Sequence, residues 1–318
     1  MTAIVRVPVG GGTPEGTNSA YLLPDRGVLV DPGPPSERAW ADLRDGIGAH
    51  TAIEDLEHVF VTHWHIDHAG LAHRLADRAG AAIHVHREDA PLIGDYADAR
   101  ASRLRRDERT LERWGVPKSV RESVIDRDEP SPLPDAAPVN RHDDGDVVAG
   151  VEFVHTPGHT KGHASVRIDG TILLGDLLLP TYTPNVGGSD TRLDDPLGAY
   201  LSSLERVATH EEGEPGHGTT MSIDESIADV RRHHRDRAAS SFEAIAAADE
   251  TAVTPWTVAR HLFGEMAGVH AKFGAGEAAA HLARLAELRI VERWTDDRGR
   301  TRYRPAVDSY PAELSLGR

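Results

Sequence analysis

The sequence predicts an α/β fold with a small helical appendage at its C-terminal end, and three observations carry that reading. Short apolar runs alternate with amphipathic segments over the first two hundred or so residues, the order expected of layered sheets and helices. A dense cluster of histidines with one aspartate directly follows one of those runs. After Asp249 the pattern changes to two amphipathic helices and a two-stranded turn.

Taken in order, residues 3 to 9 (AIVRVPV), 19 to 23 (SAYLL) and 27 to 31 (GVLVD) read as strands divided by Gly- and Pro-containing turns, with Gly10 to Gly12 forming one turn. Ser36 to His50 reads as a helix capped by Ser36. Residues 57 to 62 (EHVFVT) form a buried strand, Leu71 to Arg78 a helix, and residues 81 to 86 (AAIHVH) another strand. Residues 98 to 127 are helical, with a dense mixed charge pattern and a break at Gly115 and Pro117. Strand patterns return at residues 146 to 156, 164 to 170 and 171 to 176, followed by an irregular stretch from 180 to 190 whose turn formers suit a substrate-facing loop. Residues 196 to 210 and 222 to 248 read as helices.

The C-terminal segment carries its own signals. Thr254 with Pro255 opens a helix, residues 276 to 289 form a second, and residues 290 to 294 pair with the strand after the turn at Asp297 to Gly299. This is the order of a winged helix-turn-helix, so the expected division is residues 1–240 for the α/β domain and 241–318 for the winged-helix domain.

Composition narrows the chemistry. The 318-residue chain has no cysteine, which excludes disulfides, iron–sulfur clusters, thiolate metal sites and cysteine nucleophiles, so any metal must rest on histidine and carboxylate. Nineteen histidines make such a site realistic. No stretch reaches the roughly 18 apolar residues of a membrane span, and the N-terminal residues lack a basic segment followed by an apolar one. A cytoplasmic protein is therefore expected. The formal charge of −16, with lysine only at 118, 161 and 272, resembles the bias of halophilic archaea, whose solvated carboxylates keep the surface soluble.

The strongest signal is THWHIDHAG, residues 62 to 70. His63, His65, Asp67 and His68 fall at a strand-to-helix turn, where one loop can aim several side chains at a point. Histidine with carboxylate suits zinc and neighbouring transition metals, and this density suggests two ions. The alternative is a surface patch of solvated histidines. His159 (TPGHT), Asp176 (LLGD) and His217 (EPGHG) also follow strands. Neither a GxSxG elbow nor a Walker-type phosphate loop occurs.

With these motifs in order over roughly residues 1 to 240, the chain resembles metallo-β-lactamase superfamily hydrolases. The resemblance implies an αββα sandwich and a dinuclear zinc centre. His63, His65 and His159 would hold one ion, Asp67, His68 and His217 the other, and Asp176 would bridge them. Iron or manganese would accept the same ligands. Two ions sharing a bridging hydroxide supply a strong nucleophile at neutral pH, with Asp67 the catalytic residue that orients it. The resemblance also places Asp31 beside the cluster as a partner for a ligand imidazole, although DPGPP is equally good turn chemistry. His163 either supports the ligands or faces solvent. One of His84 and His86 either approaches the site or both belong to a polar strand end, while His233 and His234 read as solvated.

The metal site sets hydrolysis as the reaction but leaves the scissile bond open. A lactamase fold followed by a winged helix is similar to the lactamase-beta-like endoribonuclease branch, which implies RNA as substrate and partner. Residues 280 to 304 carry a local charge of +3 within the acidic chain, including Arg298, Arg300 and Arg302 as candidate phosphate contacts, and a second arginine-rich stretch runs from Arg100 to Arg113. These arginines could instead pair with neighbouring carboxylates, and the winged helix could serve packing or dimerisation. His217 lacks the histidine pair of the tRNA 3′-processing branch, since the segment reads PGHGTT. A thioester or ester hydrolase resembling hydroxyacylglutathione hydrolases fits the same motifs and needs no strong proton donor for its thiolate. A non-catalytic nucleic-acid-binding protein is the third alternative.

Overall fold

The computed structural model describes residues 3–13, 16–248 and 250–317. Asp249, where the sequence pattern changes, lies outside them. The chain forms two compact units. One comprises residues 1–100, 131–184 and 203–227, and the other 101–130, 185–202 and 228–318.

The first unit is built on two six-stranded sheets. One runs in the order β1 (Val5–Thr13), β2 (Gly16–Leu23), β3 (Val28–Val30), β4 (His58–Val61), β5 (Ala82–His86), β6 (Asn140–His142). The other holds β7 (Val147–Val148), β8 (Val151–His155), β9 (Ala164–Ile168), β10 (Thr171–Gly175), β11 (Glu212–Pro215) and β12 (Met221–Ser222), neighbour to neighbour. In the first sheet β3 to β6 are parallel, and helices Glu37–Gly48 and Ala72–Ala79 make crossovers. Ser36 caps the former by accepting from Ala39 N at 3.1 Å.

Side-chain alternation explains how these strands are buried on both faces. Tyr21, Leu23, Val28, Val30 and Phe60 pack against Val151, Phe153, Val166 and Leu173 of the second sheet. Ala20, Leu22, Leu29, Val59 and Val61 point the other way, into a cluster with Leu43, Ile47, Ala72 and Leu75 of the two helices. Strands covered on both sides read as continuous apolar runs, which is why they were legible as buried strands.

The second unit has its own core, in which Leu111, Val116 and Val124 meet Trp256, Ala271 and Ala275. Helices Pro255–Phe263 and Val269–Glu287 precede the hairpin β13 (Val291–Thr295) and β14 (Thr301–Pro305). Thr254 caps the first of these helices, accepting from Thr257 N at 3.2 Å.

Three expectations change. Gly10 to Gly12 lie within β1, whose pairing with β2 shifts register between Val9 and Thr13, so the glycines mark an irregular strand rather than a turn. The second C-terminal helix begins at Val269 rather than near 276. The C-terminal unit is discontinuous: residues 101–130 and 185–202 cluster with 228–318, because the apolar faces of helices Tyr96–Arg113 and Lys118–Asp126 are completed by Trp256 and the helix Val269–Glu287.

Candidate metal centre

The two sheets bring distant loops of the first unit to one place. His63, His65, Asp67 and His68 follow β4, His159 follows β8, Asp176 follows β10 and His217 follows β11. A strand ending in the core can hand its next residue to a site while its own side chains stay packed, so the ligand positions are fixed by the sheets. Their donor atoms gather into three interlocking groups: His63, His65 and His159; Asp67, His68 and His217; and His63, His68 and Asp176. All but Asp67 and His65 are buried. The alternative of solvated surface histidines is therefore removed by burial.

Hydrogen bonds fix which nitrogen each imidazole offers. Asp31 accepts from Thr62 N at 2.8 Å and Thr62 Oγ1 at 2.7 Å. Since that hydroxyl proton is committed, Thr62 Oγ1 accepts from His63 Nδ1 at 3.0 Å, leaving His63 Nε2 as a lone-pair donor. His68 Nδ1 donates to Asp31 Oδ2 at 3.0 Å, which frees His68 Nε2 in the same way. Asp31 adopts φ 51°, a left-handed conformation that aspartate tolerates at some cost. Its carboxylate serves Thr62 and His68, which answers the question of whether it merely caps its own turn. His163 is buried, and its Nε2 accepts from Asp176 N at 3.0 Å.

The candidate donor atoms converge on one another. His68 Nε2, His217 Nε2 and Asp176 Oδ1 are buried and lack a hydrogen bond. His63 Nε2 lies 3.1 Å from His65 Nδ1, which lies 2.9 Å from His159 Nε2. Orphaned buried acceptors in this number are costly unless a cation satisfies them, so the residues present fit divalent metal ions.

Electrostatics agree with that reading. Burial, reinforced by neighbouring histidines, holds His63 well below the ordinary imidazole range and His65 down to about 3. Burial alone would lower His68 too, but the Asp176 and Asp67 carboxylates overcome it and hold His68 well above its ordinary value. Burial would raise Asp67 and Asp176, yet His68 and its neighbours keep both ionised. His63 and His65 are thus neutral and Asp67 and Asp176 charged, the forms that bind metal, whereas His68 must release a proton to do so.

The other residues singled out in the sequence lie elsewhere. His84 is buried and joins His58 (3.0 Å) to His142 (2.9 Å), while His86 stacks on His155. β4 and β6 supply the partners of His84 and β8 that of His86, so the polar strand end is a buried one. His233 and His234 differ from each other. His234 is 2% exposed and bonds to His281 at 3.1 Å, because the second unit folds another helix over that face. Arg300 and Arg302 both turn to Asp296 at 2.9 Å, and Arg302 also to Glu250 at 3.3 Å. Arg298 donates its backbone N–H to Asp296.

Two supporting residues were not found in the sequence. Asn18, 3% exposed, donates to the backbone and side-chain oxygens of Asp67 at 2.9 and 3.2 Å. Asp89, fully buried, accepts from Trp64 N, Thr160 Oγ1 and Gly162 N. The available signal was position: Asp89 follows strand β5 as the ligands follow theirs.

A two-sheet α/β sandwich with histidine and aspartate ligands at its strand ends defines a metal-dependent hydrolase. The chain belongs to the metallo-beta-lactamase superfamily, whose profile matches residues 12–213. A probable metallo-hydrolase of Bacillus subtilis is 27% identical over 295 residues, 86% of this chain and 89% of that protein. A beta-lactamase-like protein 2 homolog of Drosophila melanogaster is 26% identical over 238 residues, 71% of this chain and 66% of its own length. The atrochrysone carboxyl ACP thioesterase of Emericella nidulans is 26% identical over 232 residues, 69% of this chain and 56% of that protein. Among solved structures, a metallo-beta-lactamase family protein of Thermus thermophilus superposes with a TM-score of 0.74 at 26% identity, covering 95% of this chain and 98% of that one. Among the described residues, no helix is long and apolar enough to cross a membrane.

Proposed function

We propose that the protein is a dinuclear zinc hydrolase acting on an acyl thioester or ester. The observation that carries the two-metal reading is the convergence of His68 Nε2, His217 Nε2 and Asp176 Oδ1, buried and without a hydrogen bond, on candidate ligand groups that share His63 and His68. When bound, the two ions would lower the pKa of a water and polarise the substrate's carbonyl oxygen. His63, His65 and His159 would hold one ion, Asp67, His68 and His217 the other, with Asp176 between them. The same donors accept iron or manganese, and elemental analysis distinguishes these.

The chain's own contribution centres on Asp67. Its side chain is 33% exposed, ionised by the adjoining His68 and His217, and steadied by Asn18 Nδ2. That places a carboxylate at the open side of the site to orient the attacking water by accepting its hydrogen bond. A thiolate leaving group needs no strong acid, which suits a centre whose imidazoles are committed to metal.

What supports an acyl substrate over a phosphodiester is the state of the arginines. Arg300 and Arg302 share Asp296, Arg304 pairs with Glu292, and Arg103 pairs with Asp128. A guanidinium committed to a carboxylate must give up that pair before it can neutralise a phosphate. The similarity to an ACP thioesterase points the same way. The helix, helix, hairpin order of residues 255 to 305 supports the winged-helix reading of the C-terminal elements as a packing module.

The test is a parallel assay of metal-loaded protein on an acyl thioester and on labelled single-stranded RNA. The expected result is thioester hydrolysis abolished in His65→Ala, with RNA intact. RNA cleavage lost in the same variant would establish the nuclease branch, and full activity of His65→Ala would refute the metal centre. The acidic, lysine-poor composition supports salt adaptation, with activity expected to fall in dilute buffer and return in molar KCl.

A further inference from the structure

We propose that Asp89 is a positioning residue that sets the geometry of the three-histidine half of the centre, His63, His65 and His159. The proposal rests on the two-metal reading above. Asp89 lies in the turn after β5 and acts through the loops that carry the candidate ligands.

Its carboxylate ties two loops from two different sheets. Oδ2 accepts from Trp64 N at 3.2 Å, and Trp64 is the residue between His63 and His65. The same oxygen accepts from Thr160 Oγ1 at 2.6 Å, and Oδ1 accepts from Gly162 N at 2.9 Å, on the loop that begins with His159. Asp89 and Thr160 are fully buried. Glycine at 162 is what permits the approach, because a Cβ there would lie 2.6 Å from the Asp89 carboxyl carbon. Two contacts reinforce the same seat: Glu88 pairs with Lys161 at 2.9 Å, and His155 Nε2 donates to Lys161 O at 2.9 Å.

The other half of the centre has a different support. Asn18 holds Asp67 through its backbone and side-chain oxygens, while Asp89 reaches neither Asp67 nor His217 through any of these bonds. The two metal sites are therefore tuned from separate buried residues. Asp89→Asn is diagnostic because every donor here points inward. With the amide oxygen at Oδ2, the new NH2 opposes Gly162 N–H; flipped, it opposes Trp64 N–H. Either orientation sets donor against donor and displaces one loop.

The experiment titrates Co²⁺ into the metal-free full-length protein, following the d–d absorption and competition with a chelator, with far-UV circular dichroism and apo melting as checks on folding. Wild type is expected to bind two equivalents. In Asp89→Asn one equivalent is expected to keep its affinity and the other to weaken roughly 10–100-fold, the effect of losing an outer hydrogen-bond partner. His159→Ala added to Asp89→Asn should then cost less than it costs wild type, whereas Asn18→Ala should weaken the other equivalent and add independently. Equal weakening of both equivalents, or no change, overturns the proposal. Should Asp89→Asn fail to fold, Thr160→Val removes the Thr160 Oγ1 bond; the same selective shift at smaller size supports the role, and unchanged affinities in folded Thr160→Val overturn it. A wild type that binds a single equivalent refutes the two-metal reading instead, and Asp89 then stands or falls on whether Asp89→Asn weakens that equivalent.

Discussion

Acidification should destabilise the C-terminal unit through two buried imidazoles. His281 is fully buried and His234 is 2% exposed. His281 Nδ1 donates to Glu277 O at 2.8 Å, so its Nε2 must accept from His234 Nδ1 at 3.1 Å. His234 Nε2 is left buried without a partner. A proton added to His281 sets N–H against N–H, and one added to His234 places a charge where no acceptor waits. Burial is accordingly the main cause that pushes His281 down to about 3 and His234 well below its ordinary value. Because the folded values lie below the unfolded one, the unfolded chain takes up protons first. Stability is full above about pH 6.5 and is lost as pH falls below it. With about 3 folded and about 6.5 unfolded, His281 alone costs about 2 kcal/mol at pH 5.

The comparison is urea unfolding of metal-free wild type and of His234→Leu/His281→Leu at pH 7.5 and pH 5, read by tryptophan fluorescence. Replacing both partners leaves no orphaned nitrogen, and the remaining histidines contribute equally to both proteins. Wild type should lose about 2 kcal/mol or more beyond the loss in the variant. Parallel losses would refute the reasoning, as would a His281 ring resonance that titrates near its unperturbed value.

Other perturbations probe the site and the core. Gly216→Ala places a Cβ 2.5 Å from Asp176 Oδ1 and 2.6 Å from His68 Cε1, so the variant should fold but bind less metal, measured by elemental analysis after dialysis. Phe153→Ala empties a fully buried position between the sheets and should cost about 3–5 kcal/mol in denaturant unfolding. Asp296→Ala releases Arg300 and Arg302 and should raise low-salt RNA binding above wild type, with a steeper salt dependence in filter binding.

Much of the site was legible because its residues follow strands that announce themselves. HVFV before His63, VEFVH before His159 and TILLG before Asp176 are mostly apolar, so each candidate ligand stands at a visible boundary. Strands without that pattern were missed. Asn140–His142 and Met221–Ser222 are short edge strands and Glu212–Pro215 is mostly polar, and each is defined only by the neighbour it pairs with.

The sequence by itself determined the candidate ligand types and the strand-end positions of His63, His65, Asp67, His68, His159, Asp176 and His217. These follow from local pattern and composition, which need no knowledge of what lies across the core. Tertiary structure alone decided which polar groups meet. Asp89 reaches Trp64 and Thr160, Asn18 reaches Asp67, Asp296 takes up Arg300 and Arg302, and His234 is buried against His281 rather than solvated. The physical reason is range. Periodicity reports one residue's own burial, whereas a hydrogen bond or ion pair depends on a partner tens of residues away that only packed sheets and helices bring within 3 Å or so.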